Sequence, residues 1–255
     1  MIPIPLVCKM VAAALTVASP VSPTAAIPAE LTAPVPVVLT DQASEGVQVG
    51  NSGTIEGQVA FEGITPPKRR IIPTRDQEIC GVREEERISL SPDRYILGAL
   101  VYLQDVENGK PWTKAASLPL LDITNCEFRP RLQVVRTGEI EFLNSDPIAH
   151  KVHLYRDRAT VYHVDLRKHL RVKKQLEEPG LYRVESEDHE GALAWIYVAE
   201  NPYYDQTKAD GSFRITDVPP GRYTLIVWHE YTGEEPILLT VKANQVVSVR
   251  VKLRR

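Results

Sequence analysis

Ser186-Glu187-Asp188-His189-Glu190-Gly191-Ala192 is an acidic loop with a single imidazole. Gly180-Leu181-Tyr182-Arg183-Val184 leads into it with a strand-like character. A second imidazole lies upstream, at the end of Asn144-Ser145-Asp146-Pro147-Ile148-Ala149-His150. Thr137-Gly138 supplies a turn before it, and Glu139-Ile140-Glu141-Phe142 alternates polar and apolar residues with period two. Such alternation marks a half-buried strand.

The same period continues outward. Ile55, Gly57, Val59 and Phe61 alternate with Glu56, Gln58, Ala60 and Glu62. Leu100-Val101-Tyr102-Leu103 is a further strand candidate, followed by the turn signal Asn108-Gly109. Val247, Val249, Val251 and Leu253 alternate with Ser248, Arg250 and Lys252. No long helical stripe appears. Many short strands separated by Gly, Pro and Asn predict an all-β sandwich architecture. Residues 64–95 are rich in Pro and mixed charge, as in Arg83-Glu84-Glu85-Glu86-Arg87, and read as a long loop.

Thr207-Lys208-Ala209-Asp210-Gly211-Ser212-Phe213 and Pro219-Pro220-Gly221-Arg222-Tyr223-Thr224-Leu225 form a second patterned region. Asp210-Gly211 and Pro219-Pro220-Gly221 are turns. Phe213 and Ile215, then Tyr223, Leu225 and Val227, line strand faces. The motif resembles the carboxypeptidase-regulatory-like family, whose fold is a transthyretin-like or carbohydrate-binding-like sandwich. Gly53-Thr54-Ile55-Glu56-Gly57-Gln58-Val59 resembles the first strand of such modules. That resemblance implies a discontinuous domain, 53–125 plus 201–255, with 126–200 inserted. Tyr203, Tyr204, Trp228 and Tyr231 could serve a glycan, although aromatics in short sandwiches more often fill the core.

The inserted part resembles a cupredoxin, a Greek-key sandwich. Cys126-Glu127-Phe128-Arg129-Pro130, Gly138 through Asn144, and the Asp146-x-x-x-His150 spacing carry the likeness. Together the modules resemble exported bacterial proteins that join a plastocyanin-like to a carboxypeptidase-regulatory-like domain, some of them methylamine-utilisation-like. In the family's Cys-x-x-His-x-x-Met loop, Cys would fall at Ser186 and Met at Ala192. Blue copper requires two imidazoles and a thiolate, usually with a weak axial thioether. Both sulfur donors are missing, so the resemblance implies a lost copper site and no rapid electron transfer. Two readings remain for His150 and His189. They meet and hold copper or zinc, helped by Glu187, Asp188 or Glu190, or they are polar side chains with protein or water partners. His153 is a poor third ligand, because i and i+3 face opposite sides of a strand. His163 and His169 have no distinctive spacing.

The chain has 255 residues and a formal net charge of -3, which argues against a general nucleic-acid binder. Lys9, the apolar run Met10 to Ala18 and the small residues Thr24-Ala25-Ala26 read as a signal peptide over 1–26. A flexible Pro/Ala-rich leader follows over 27–52. The expectation is an exported periplasmic or extracellular protein without stable membrane insertion after cleavage. Cys80 and Cys126 remain in the mature chain; a disulfide is the simplest reading, with thiol ligands or redox thiols as the other. Basic residues over 167–174 and acidic residues over 185–190 read as solvated strand and loop faces.

Trp228-His229-Glu230 does not continue into a His-Glu-x-x-His zinc motif, and no Gly-x-Ser-x-Gly elbow or phosphate loop is present. The expectation is a non-catalytic binding or scaffold protein with a protein or glycan partner and no cofactor. The alternative is a metal-binding protein using His150 and His189 in a remodelled site.

Overall fold

The computed structural model describes residues 51–106 and 109–255. The expected signal peptide, almost all of the leader, and Asn108 of the Asn108-Gly109 turn lie outside the described residues. In chain order the first elements are β1 (Gly53–Phe61), β2 (Arg69–Ile71), α1 (Gln77–Cys80), β3 (Arg83–Glu85) and β4 (Leu100–Leu103). The middle of the chain gives β5 (Leu120–Thr124), β6 (Glu127–Arg129), β7 (Leu132–Arg136), β8 (Gly138–Asn144), β9 (His150–Arg156), β10 (Ala159–Leu166), β11 (Arg171–Leu176), β12 (Gly180–Ser186) and β13 (Leu193–Ala199). Five strands close it: β14 (Tyr204–Gln206), β15 (Ser212–Val218), β16 (Gly221–His229), β17 (Gly233–Val241) and β18 (Val246–Leu253). The fold is all-β, as the alternation predicts. Residues 64–95 depart from the loop reading. Arg69–Ile71 pairs antiparallel with Arg83–Glu85, and α1 lies between them.

One sandwich stacks the sheet β15-β1-β18 on β14-β4-β16-β17. Ile55, Val59, Val101, Phe213, Leu225 and Val251 fill its core. β1 is its central strand, antiparallel to β15 and parallel to β18. Gly57 is required there by close approach rather than by backbone freedom. An added Cβ would collide with the Val249 carbonyl oxygen. Gly57→Ala is therefore expected to cost about 1–3 kcal/mol, as overpacking a tight core does; urea unfolding measures it, and an unchanged midpoint would refute the contact.

The other sandwich stacks β10-β9-β12-β13-β7 on β11-β8-β5-β6. Ile123, Ile140, Phe142, Val152, Val184 and Ile196 lie in its core. β5 belongs here. It runs parallel to β8, and Leu121 and Ile123 are buried in this core. The division expected at 125/126 therefore falls one strand late, because β5 follows a stretch that looks like part of the first module. Leu100, Tyr197 and Ala199 form a smaller buried cluster with Tyr102, Trp112 and Trp228, which joins the two sandwiches. Among the described residues no helix is long and apolar enough to cross a membrane.

Candidate metal centre

His150 opens β9, and His189 sits in the loop between β12 and β13. Both loops are shaped by polar clamps. The Asn144 side chain donates to the carbonyls of Ile148 (2.7 Å) and Leu166 (2.9 Å), while its Oδ1 accepts the Asp146 N–H. The second loop closes through Ser186 N–H to the Ala192 carbonyl, and Gly191 takes a positive φ of 81°. A positive φ of that kind is readily adopted by glycine.

These loops bring the two imidazoles together. His150 Nδ1 lies 3.0 Å from His189 Nδ1, and the rings meet edge to face. His150 Nε2 contacts Asp146 Oδ2 at 2.9 Å, and His189 Nε2 contacts Asp76 Oδ2 at 3.0 Å. A carboxylate only accepts, so each Nε2 is the donor and each Nδ1 faces inward. Burial first of all lowers the proton affinity of His150, as does neighbouring His189, against the opposing pull of Asp146. Both rings and Asp146 are buried.

Asp146 does more than orient a ring. It also accepts the backbone N–H groups of Asn125 (2.6 Å) and Cys126 (2.9 Å). Those two residues form the β5–β6 turn with positive φ of 52° and 59°. Such a pair of left-handed residues suits a two-residue hairpin turn but is uncommon for cysteine. The turn delivers Cys126 to a disulfide with Cys80, at the end of α1. Both sulfurs lie beside the histidines. Cys80 Sγ, Cys126 Sγ and a His189 ring nitrogen are all within 4.8 Å of one another. Cys126 Sγ, an Asp146 oxygen and a His150 ring nitrogen are grouped equally closely.

The positions expected to be lost ligands offer no sulfur. Ser186 Oγ is buried without a hydrogen-bond partner, and Ala192 is buried with no donor. Met1 and Met10, the only methionines, lie outside the described residues. The described residues therefore do not fit a blue-copper ion. The carboxylates expected to help, Glu187, Asp188 and Glu190, turn elsewhere. Glu187 contacts His153, Asp188 accepts the Lys151 N–H, and Glu190 pairs with Arg69. Sequence reading misses Asp76 altogether, since its segment reads as loop.

His153 faces away from His150, as the i+3 spacing requires. The β9–β10 register nevertheless places it opposite His163, with ring centroids 4.3 Å apart and Glu187 alongside. His169 lies in an exposed turn. The aromatic residues considered for a glycan separate. Tyr203 is fully buried in the first core, and Tyr231 packs against that core at Phe61. Tyr204 and Trp228 pack in the cluster that joins the sandwiches. Trp228 also stands edge to face with Trp195 in the wall of a cavity of about 600 Å³. Glu230 in that wall accepts hydrogen bonds from Arg131 and Trp195.

His229, in the same wall, is buried and accepts the Tyr231 N–H at Nδ1 (3.1 Å). Burial holds its pKa below the ordinary 6.5; Glu230 opposes this and Arg131 reinforces it. The unfolded chain then binds more protons as pH falls below 6.5. Stability is complete above that value and declines beneath it as pH falls towards the lowered folded-state value. His229→Asn should flatten this acid limb in urea unfolding; an unchanged slope would assign the loss to other groups.

No protein-family model matches the chain, and no curated protein matches it. The solved structures it resembles include a purple cupredoxin from Nitrosopumilus maritimus, 15% identical over 32% of this chain and 99% of that one, with TM-score 0.29. A reduced amicyanin variant is 16% identical over 40% and 99% of the two chains, with TM-score 0.30. A copper-containing nitrite reductase from Thermus scotoductus is 16% identical over 38% of this chain and 25% of its own, with TM-score 0.31.

Proposed function

We propose that the chain is an exported, non-catalytic metal-binding protein that holds copper or zinc through His150 and His189 and does not carry out blue-copper electron transfer. The observation that supports this reading is the inward-facing pair of Nδ1 atoms, 3.0 Å apart, with each Nε2 held by a carboxylate. Metal-ligating histidines commonly donate their other ring N–H to a carboxylate, which fixes tautomer and orientation. Two imidazoles on a tetrahedral ion, bonded at about 2.0–2.1 Å, stand about 3.3 Å apart, close to the spacing already present. A bound ion would supply a fixed positive charge and Lewis acidity between the rings.

Calorimetric titration of the purified protein with Zn(II) and Cu(II) tests this. One ion per chain is expected, with binding lost in His150→Ala and His189→Ala. Asp76→Asn should weaken affinity about 10–100-fold, as loss of a partner behind a ligand does. Absence of stoichiometric binding would sink the proposal.

The cavity flanked by Trp195 and Trp228 supports a second reading, a binding or scaffold protein for a glycan or protein partner. Tryptophan fluorescence that stays unchanged across a panel of oligosaccharides would remove its glycan form.

A further inference from the structure

We propose that Cys80, Cys126, His150 and His189 form a zinc site when the disulfide is reduced. The inference rests on the His150–His189 reading above and adds to it the completing donors and their control. In the oxidised protein the facing Nδ1 atoms supply two good donors. The nearby sulfurs are committed to each other and are weak donors in that state. Asp146 cannot complete the set, because its oxygens already accept from Asn125, Cys126 and His150.

Reduction changes the donor set without recruiting any new residue. A dithiol or phosphine reductant gives up two electrons, the S–S bond breaks, and two protons complete the thiols. The result is two sulfurs and two imidazoles, from four separate segments of the chain. Three of the four already cluster, and the fourth touches the third. The Cys80 and Cys126 sulfurs lie within 4.8 Å of a His189 ring nitrogen, Cys126 Sγ lies as close to His150, and the two Nδ1 atoms are 3.0 Å apart. Two thiolates and two imidazoles form a recurrent tetrahedral zinc set, closed to substrate. All four residues are buried, so the ion would be shielded from water. Zinc would displace both thiol protons and take the place between the two Nδ1 atoms. The two thiolates would balance the two positive charges of the ion.

The test uses the full chain, Co(II) as the optical probe and Zn(II) as the competitor, with and without a phosphine reductant under anaerobic conditions. The reduced protein is expected to bind one Co(II), with strong tetrahedral d–d absorption and a thiolate-to-metal charge-transfer band. Zn(II) should bleach both and protect two thiols from a thiol reagent. The oxidised protein should show no charge-transfer band, and Cys126→Ser should lose it. Binding by the reduced protein without that band, with both thiols reactive, overturns this inference and leaves the histidine reading standing. A reduced chain that loses its near-UV circular dichroism and does not regain it with Zn(II) also overturns it. No binding in either redox state removes both readings.

Discussion

The paired replacement Cys80→Ser with Cys126→Ser is expected to lower the unfolding free energy by about 4 kcal/mol. The cysteines are 46 residues apart in sequence. In the chain-entropy account, a cross-link closing a loop of that size removes about 4 kcal/mol worth of disorder from the unfolded ensemble. The loop spans β3, β4 and β5, so the bridge ties α1 to the sandwich that holds His150 and His189. Urea unfolding should show a lower midpoint and a steeper slope, because a chain without the bridge exposes more surface on unfolding. A loss below about 1 kcal/mol would mean that the unfolded chain is already constrained by residual structure. Zinc should restore more stability in the reduced wild type than in the serine pair, which keeps only the two imidazoles, since an ion bound only by the folded state stabilises that state.

A loss of similar size is expected from a single carboxylate. Asp146→Ala leaves the N–H groups of Asn125 and Cys126 and the His150 ring N–H without their acceptor. The Cys126 N–H and the His150 ring N–H are buried, and each buried donor left unsatisfied costs about 1–3 kcal/mol, so the sum is about 4 kcal/mol. The left-handed Asn125 and Cys126 would also lose the group that holds their turn together. Asp146→Asn keeps one accepting oxygen and should lose about half as much. The adjacent exposed Ser145 is the control, since its hydroxyl bonds only the Asp122 side chain. Ser145→Ala should stay within about 0.5 kcal/mol. Thermal unfolding that ranked Asp146→Ala with Ser145→Ala would refute the clamp.

The strands were legible wherever one face alone is buried. Ile55 to Phe61, Glu139 to Phe142 and Val247 to Leu253 alternate because each strand has one side against a core and one side outward. His150 and His189 were legible as a pair only through the resemblance of their two segments to a cupredoxin ligand set. The rest depends on pairing between distant segments, which local spacing does not carry. His153 and His163 meet through antiparallel register. Only pairing with β8 assigns β5 to the second sandwich. Asp76 lies in a short segment with little apolar pattern, so its contact with His189 has no local signature. Tyr203 is wholly in the core, the place that aromatics in short sandwiches more often take.

The parallel pairing of β1 with β18 sets an order on biogenesis. β5 to β13 form a continuous stretch and can assemble as soon as they have all been synthesised. β1 and β4 must wait for β14 to β18, because their sheet partners are made last. Contacts between such distant segments form slowly, and an unpaired strand edge invites association in the interval. A chain halted before Val246 would hold a finished second sandwich and a β1 without its parallel neighbour. Aggregation in such nascent fragments should therefore begin at β1, far from the histidines.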